Sequence, residues 1–176
     1  MRIIHGKYGS RRLDLPKGLR ARPTTDQARE GLFNILINRL YFDEIRVLDL
    51  FAGTGSISME FASLGTEDIT LVEKDKVHTR FIEKNLGILG IENIDIIQGD
   101  AFKFLERNRS KFDLIFADPP YDMPGIINLP SLAIRHLRNN DSSFILEHGP
   151  SLDFHGHEGF RETRKYGKVN FSFFSI

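Results

Sequence analysis

The chain has 176 residues, a length typical of one domain that can bury a sizeable core. Its 24 Lys and Arg residues balance its 24 Asp and Glu residues, so the overall charge does not indicate a polyanionic partner. The absence of cysteine excludes disulfides and thiolate metal sites. The absence of a signal peptide and of any apolar run of membrane-spanning length predicts a cytoplasmic protein.

Basic residues are concentrated at the N-terminus. Residues 1–30 contain eight Lys or Arg residues and three acidic ones, a net charge of +5, which leaves −5 on the remainder. A basic arm on an acidic body is typical of nucleic-acid-binding proteins. A solvated, flexible terminus explains the same charge equally well.

The first forty residues are predicted to form an extension docked on a sheet. Two short extended pieces, 2–5 and 11–15, flank a turn, and prolines and glycine make 16–24 an exposed loop. Thr24 and Gln27 predict a capping box for a helix that runs to about Leu40. Its predicted buried face consists of Ala28, Leu32, Ile35, Leu36 and Leu40.

The segment 46–60 has the pattern of a nucleotide-binding opening. Residues 47–50 predict a buried strand, a glycine loop follows, and 56–64 predict a helix. This order is typical of an open α/β sheet that binds its ligand at the carboxyl edge of the strand. Asp49 suits a ligand with an amine or hydroxyls and repels a pyrophosphate. The dinucleotide pattern Gly-x-Gly-x-x-Gly is also incomplete, because Ser58 occupies its third glycine position.

The rest of the chain alternates between predicted strands and helices, as in parallel α/β folds. We predict a seven-stranded mixed sheet with helices on both faces, of the Rossmann-like type. The further strands are predicted at 69–73, 94–98, 112–117, 143–147, 160–165 and 169–176, the last two as an antiparallel hairpin at the sheet edge. The further helices are predicted at 76–89, 101–107 and 129–137, the last interrupted by Pro130.

An acidic residue ends the second predicted strand. Glu73 lies 20 residues after Gly53, where a carboxylate can accept hydrogen bonds from two ribose hydroxyls. The alternative, a helix N-terminal acid favoured by the macrodipole, describes Asp75 better. We therefore expect Glu73, with Lys74 beside it, at a nucleoside site.

The string Asp-Leu-Phe-Ala-Gly-Thr-Gly at 49–55 resembles motif I of the class I S-adenosylmethionine-dependent methyltransferases. The resemblance implies S-adenosylmethionine as cofactor, bound by Asp49, Phe51, Gly53 and Gly55 together with Glu73 and Lys74. Asp100 and Ala101 follow the third strand, where this class places an acid against the adenine amino group. Helix capping is the alternative role of Asp100.

The segment Asp118-Pro119-Pro120-Tyr121 follows an apolar strand and carries the most specific signal. Two prolines fix φ twice and remove two N–H donors, which leaves the Pro119 carbonyl able to accept. A carboxylate and a carbonyl directed at one point can accept both N–H bonds of an exocyclic amine. Tyr121 can stack on the base. Asp118 also borders the predicted cofactor site, and a simple turn is the alternative.

This segment resembles motif IV of methyltransferases that act on amino groups of nucleobases or glutamine. Residues 2–6, 18–20 and 22–34, with the closing Tyr166-Gly167, resemble the RsmD-type guanine-N2 methyltransferases of bacterial 16S ribosomal RNA. Two features depart from that family's pattern: Tyr8 stands where the family often has Trp, and the region 123–129 is short.

The resemblance implies a single methyltransferase domain, with an RNA-binding extension at 1–40 and a catalytic core at 41–176. It implies methyl transfer to N2 of one guanine in 16S ribosomal RNA, within a 30S subunit or an assembly intermediate, by a monomer. The implied RNA-binding residues are Arg11, Arg12, Arg20, Arg22, Thr24 and Arg29.

Two alternatives stay open at this point. A DNA adenine-N6 methyltransferase shares the Asp-Pro-Pro-Tyr segment, but it requires a target-recognition domain for which this length leaves no room. A catalytically silent RNA-binding factor of ribosome assembly would not need that segment intact. We expect no metal, since His155 and His157 are more simply explained by an exposed turn.

Overall fold

The structure is a computed structural model that describes residues 1–15 and 25–176. At the N-terminus, Arg2 and Arg12 form an antiparallel bridge, and the N–H of Ile3 donates to the carbonyl of Arg11 at 3.0 Å. The two predicted extended pieces therefore pair with each other. The predicted loop 16–24 lies outside the described residues.

The first helix, α1 (Asp26–Ile37), begins one residue later than predicted. Its N-cap is Thr25, whose hydroxyl oxygen accepts from the N–H of Ala28 at 3.2 Å. The capping box predicted from Thr24 and Gln27 is wrong, because the third residue of the helix is Ala28, which has no side chain that can return a hydrogen bond.

Within residues 1–15 and 25–176, seven strands form one mixed sheet in the order β3-β2-β1-β4-β5-β7-β6. Their bounds are Arg46–Leu50 (β1), Asp68–Glu73 (β2), Ile94–Gln98 (β3), Leu114–Ala117 (β4), Ser143–His148 (β5), Phe160–Tyr166 (β6) and Val169–Phe174 (β7). The first five are parallel, and β7 is antiparallel to both β5 and β6. The predicted fold class is confirmed. Because the order reverses between β1 and β4, a crevice opens at the carboxyl ends of these two strands.

The remaining helices are Ser56–Ser63 (α2), Lys76–Leu89 (α3), Ala101–Arg107 (α4) and Leu129–Ala133 (α5). The predicted bounds of α3 and α4 are confirmed. The helix predicted at 129–137 is α-helical only to Ala133 and continues as a 3-10 turn at Ile134–His136. Pro130 lies in its first turn, where a missing N–H costs nothing, so it starts the helix rather than interrupting it. None of the described helices is long and apolar enough to cross a membrane.

Each face of the sheet is covered by its own apolar cluster. Successive residues of β4 alternate between the two, with Leu114 and Phe116 in the cluster shared with α1, α2 and α3, and Ile115 and Ala117 in the cluster shared with α4 and α5. Burial on both faces explains why these strands are continuous apolar runs in the sequence. The predicted strand 112–117 starts at Leu114 instead, because Phe112 only forms an isolated bridge with Leu137.

Buried charges hold the N-terminal segment against the fold. Glu60 of α2 is fully buried, and its carboxylate accepts the backbone N–H groups of Ile4 at 2.7 Å and His5 at 3.1 Å. The same carboxylate lies 3.3 Å from Nε of Arg29, whose Nη2 donates to Asp26 at 2.9 Å. Only 1% of the Arg29 side chain is exposed. The prediction that Arg29 binds RNA is therefore wrong, because its guanidinium is enclosed and paired with acids of the fold.

Candidate active site

A cavity of about 1070 Å³ opens at the carboxyl edge of the parallel strands. Loops that follow β1, β2, β3 and β4 contribute to its wall, as do Glu147 of β5 and Lys168 in the turn between β6 and β7. The predicted site residues among its lining are Asp49, Phe51, Gly53, Glu73, Lys74, Asp100, Ala101, Asp118, Pro119, Pro120 and Tyr121. The structure thus brings the residues of the two predicted motifs together in one space.

Gly55 is the exception among the predicted cofactor residues, since it does not line the cavity. It adopts a φ of +71°, and a Cβ built there would lie 3.0 Å from Cγ1 of Ile82 in α3. Glycine is required at this position because α2 begins there in tight contact with α3. This packing against Ile82 explains the glycine, and its predicted contact with the cofactor stays a prediction.

Glu73 joins two loops at the cavity wall. Its Oε2 accepts the N–H of Gly53 at 2.7 Å, and its Oε1 accepts the N–H of Asp75 at 2.7 Å. Nδ1 of His78 lies 3.6 Å from Oε1. Since a carboxylate can accept about four hydrogen bonds, these contacts fix its orientation and leave capacity for hydroxyl donors.

Asp49 lines the cavity and is almost fully buried. Its Oδ2 accepts from the hydroxyl of Ser58 at 2.6 Å and from the N–H of Ser58 at 3.2 Å. Burial raises the pKa of Asp49 to about 7, although the hydrogen bonds from Ser58 act in the opposite direction. Ser58, which occupies the third glycine position of the incomplete dinucleotide pattern, therefore fixes the orientation of the Asp49 carboxylate.

Asp100 caps a helix and also lines the cavity, so the cofactor role considered for it stays a prediction. It is the N-cap of α4, where its Oδ1 accepts from the N–H groups of Phe102 at 3.1 Å and Lys103 at 3.2 Å. Its Oδ2 lies 3.7 Å from Nζ of Lys74. It also lines the cavity, as does Ala101 beside it. The capping hydrogen bonds to α4 fix the orientation of the Asp100 carboxylate, which still lines the cavity.

The segment Asp118-Pro119-Pro120-Tyr121 extends from the end of β4 along the cavity. Pro119 is buried, and the carbonyl of Pro120 accepts the N–H of Met123 at 2.9 Å, which closes a turn. The hydroxyl of Tyr121 donates to Oε1 of Glu147 at 3.2 Å. The ring of Tyr121 lies so close to Gly149 that a Cβ there would be 2.9 Å from its Cδ2. The tyrosine is thus held at both ends.

Several cavity residues were not found from the sequence. Glu147 is the last residue of the strand predicted at 143–147 and lies one residue before the end of β5, so a systematic search for acids at the ends of predicted strands would have found it. Thr25, His78 and Lys168 lie in a helix cap, a first helical turn and a hairpin turn, and no local pattern indicates their presence at the cavity. Within the described residues, no group of three or more His, Asp or Glu is arranged to hold a metal ion.

The predicted RNA-binding residues have different positions. Arg11 and Arg12 are exposed, and Arg12 lines a separate groove of about 420 Å³ with Arg80 and Lys84 of α3. Arg20, Arg22 and Thr24 lie outside the described residues. The groove therefore adds two cations of α3 to the predicted basic surface.

Comparisons with known proteins agree with this geometry. The model of a family described as conserved hypothetical protein 95 matches residues 1–175. The small-subunit ribosomal RNA methyltransferase D of Escherichia coli K12 is 35% identical over 121 residues, which cover 69% of this chain and 60% of the relative. The chain thus spans less than two thirds of that relative's length. The protein of the same name from Haemophilus influenzae is 34% identical over 145 residues, which cover 80% of this chain and 72% of the relative.

A solved structure extends the similarity to the whole chain. A hypothetical protein of Thermus thermophilus superimposes with a TM-score of 0.87 at 28% identity. The superposition covers 100% of this chain and 99% of that one. The fold, including the N-terminal segment and the final hairpin, is therefore shared.

Proposed function

Because this chain belongs to the conserved hypothetical protein 95 family, which includes the small-subunit ribosomal RNA methyltransferases D, we propose that it is a 16S ribosomal RNA guanine-N2 methyltransferase. The resemblance to the RsmD type seen in the sequence is confirmed. The proposed reaction transfers a methyl group from S-adenosylmethionine to the exocyclic amine of one guanine. The observation that carries the proposal is the cavity that joins the nucleoside-type carboxylates to the Asp118–Tyr121 segment.

The residues of the cavity fit S-adenosylmethionine. The fixed carboxylate of Glu73 suits the ribose hydroxyls, and Asp100 suits the adenine amino group. The buried Asp49 suits the positively charged amino group of the methionine part. The cavity volume is close to the upper end of the range of about 300–1,000 Å³ that is usual for small-molecule sites. When bound, S-adenosylmethionine supplies an activated methyl group on a sulfonium.

The Asp118–Tyr121 segment supplies orientation. The carboxylate of Asp118 and the carbonyl of Pro119 accept the two N–H bonds of the amine, which directs its lone pair out of that hydrogen-bonded plane. Tyr121, held by Glu147 and Gly149, limits where the base can stack. Such positioning can lower the free-energy barrier of the reaction by about 7–11 kcal/mol. The amine can lose its proton after attack, so no strong base is needed beforehand.

For the partner, we propose 16S ribosomal RNA in a 30S subunit or an assembly intermediate, modified by a monomer in the cytoplasm. The exposed Arg11 and Arg12 and the groove cations Arg80 and Lys84 support contact with a phosphate backbone. The relatives' names favour ribosomal RNA over a DNA adenine substrate. The intact site favours an enzyme over a silent assembly factor.

The proposal is tested by comparing ribosomal RNA from a deletion strain with that from its parent. Nucleoside mass spectrometry should show one N2-methylguanosine missing from 16S ribosomal RNA of the deletion strain and restored by the wild-type gene. Purified protein with S-adenosylmethionine should restore it in 30S particles from the deletion strain. Identical nucleoside profiles in the two strains would contradict the proposal.

A further inference from the structure

Glu147 lies beside Asp118 at the carboxyl edge of the sheet. In the parallel pair of β4 and β5, Ala117 is opposite Leu146, and the residues that follow these two are Asp118, just past the end of β4, and Glu147, within β5. Adjacent strands lie about 4.8 Å apart, so the backbones of these two acidic residues are neighbours. Both residues line the cavity.

The orientation of Glu147 is fixed. It belongs to the interior strand β5, which is paired with β4 on one side and β7 on the other, and it is 2% exposed. Its Oε1 accepts the hydroxyl hydrogen of Tyr121 at 3.2 Å. An ionised carboxylate only accepts hydrogen bonds, so the chemistry of Glu147 suits a partner that donates an N–H.

The edge of guanine that carries the reacting amine has a matching donor. In guanine, the N2 amine is next to N1–H, which donates a hydrogen bond. In adenine, the ring nitrogen next to the exocyclic amine is a lone-pair acceptor, which a carboxylate would repel. A base whose amine is held at Asp118 and Pro119 can be oriented with N1–H toward Glu147, which lines the same cavity.

We propose that Glu147 is a specificity-determining residue that accepts the N1–H of the target guanine. This inference rests on the proposed function and deepens it, because it assigns the choice of guanine to one side chain. A site that hydrogen-bonds a substrate N–H strongly rejects an analogue lacking it, because the buried polar group of the site is then left unpaired.

The test compares guanine with 2-aminopurine at the target position of 16S ribosomal RNA assembled into 30S particles. 2-Aminopurine keeps the amine but has an acceptor in place of N1–H. Wild-type protein should methylate guanine at least 100-fold faster, on the order expected for a missing hydrogen bond to a charged group. In Glu147→Gln, the amide can donate to N1 of 2-aminopurine, and its neutral oxygen accepts the N1–H of guanine less strongly than a carboxylate, so the guanine to 2-aminopurine ratio should fall at least about tenfold.

Two matched controls accompany this variant. Glu158→Gln makes the same chemical change at an exposed site, and both rates should stay at the wild-type level. Tyr121→Phe removes the hydroxyl that holds Glu147, and it should slow both substrates while keeping a strong preference for guanine. A loss of preference in Glu147→Gln but not in Tyr121→Phe assigns the reading of N1 to the carboxylate itself.

The outcomes separate this inference from the proposed function. If wild-type protein methylates guanine and 2-aminopurine equally well, Glu147 does not read N1–H, whatever the variants do. An unchanged ratio in a folded Glu147→Gln protein would likewise overturn the inference while leaving the proposed function in place. If wild-type protein methylates neither base in particles from the deletion strain, both proposals fail together.

Discussion

The backbone N–H of Gly53 donates a 2.7 Å hydrogen bond to Oε2 of Glu73, which ties the glycine loop after β1 to the end of β2. The other oxygen of Glu73 accepts from Asp75, at the start of α3. One carboxylate therefore fixes two loops of the cavity wall and lies where ribose hydroxyls are proposed to bind. Because of this double role, a substitution of Glu73 is the most direct test of the proposed cofactor site.

Glu73→Ala should weaken S-adenosylmethionine binding by about 1–3 kcal/mol, the usual cost of losing hydrogen bonds to a charged group. The loss combines missing ribose contacts with a loosened Gly53 loop. Calorimetric titration measures it directly. Glu83→Ala, at an exposed site on α3, should bind like the wild type. Unchanged affinity in Glu73→Ala would remove this residue from the cofactor site.

The two substitutions of Asp118 should separate geometry from charge. An Asn oxygen can still accept from the amine, so Asp118→Asn should keep measurable turnover, with some loss because an ionised acceptor makes the stronger bond. Asp118→Ala loses both orientation and charge, and its rate should fall by about 10²-fold or more. Single-turnover methyl transfer to undermodified 30S particles is the measurement.

Both variants should still bind S-adenosylmethionine, which calorimetry checks. If Asp118→Asn proves as inactive as Asp118→Ala, the negative charge of Asp118 or its ability to accept a proton matters more than the orientation of the amine. If Ala keeps a near wild-type rate, Asp118 does not contact the reacting nitrogen and the proposed role is wrong.

The elements that the sequence predicts well are those whose signals are local. The bounds of α3 are an example: Asp75 accepts from the N–H of Val77 at its start, and Gly90 ends it at a φ of +66°. The parallel strands are similar, because burial on both faces makes each one a short apolar run between turns. The positions of Glu73 and Asp118 at the cavity could be predicted because each lies at the carboxyl end of such a run.

Residues whose roles depend on distant partners could not be assigned in this way. Arg29 lies within the basic N-terminal stretch, and its burial follows only from Glu60, 31 positions along the chain. Glu147 has no motif around it, and its place beside Asp118 follows from the pairing of β4 with β5. Gly55 fits the motif, yet the need for glycine comes from Ile82 of α3.

The buried pair of Arg29 and Glu60 predicts a large effect on stability. Arg29→Met removes the cation and leaves a fully buried carboxylate whose remaining contacts include backbone N–H groups of the N-terminal segment. Breaking a buried pair typically costs about 3–5 kcal/mol in the free energy of unfolding. Denaturant unfolding measures this loss. The exposed Arg12→Ala should stay within about 0.5 kcal/mol of the wild type. A small effect of Arg29→Met would mean that the pair is dispensable.

The basic groove predicts the salt dependence of RNA binding. If Arg12 and Arg80 each contact a phosphate, replacing either by Ala should reduce the log–log slope of affinity against salt by about 0.7–0.9. Cofactor affinity should not change, since neither residue lines the large cavity. Arg107→Ala, an exposed site at the end of α4, serves as the control and should keep the wild-type slope. A slope unaffected by Arg12→Ala and Arg80→Ala would mean that these side chains are only solvated.

The raised pKa of Asp49 predicts how pH acts on the protein. Without cofactor, this carboxyl is protonated below about pH 7 because it is buried. The positively charged amino group of S-adenosylmethionine favours the ionised form, so binding should release a proton below pH 7. Affinity should then fall as the pH decreases, by up to about tenfold per unit. Calorimetry in buffers of different ionisation enthalpy measures the number of protons released on cofactor binding. In Asp49→Asn, the affinity should no longer fall with decreasing pH through this group.

Without cofactor, Asp49 should also make the stability of the protein depend on pH, but in the opposite direction: cofactor affinity rises with pH, whereas the free energy of unfolding falls. The unfolded chain releases the proton of Asp49 near its ordinary pKa of 3.8, whereas the folded protein retains it to about pH 7. Between these values the folded state binds more protons, so this residue lowers the free energy of unfolding as the pH rises from about 4 to 7. Asp49→Asn cannot titrate, so the wild type should lose stability relative to this variant over that window. A constant difference between the two proteins from pH 4 to 7 would show that the pKa of Asp49 is not raised.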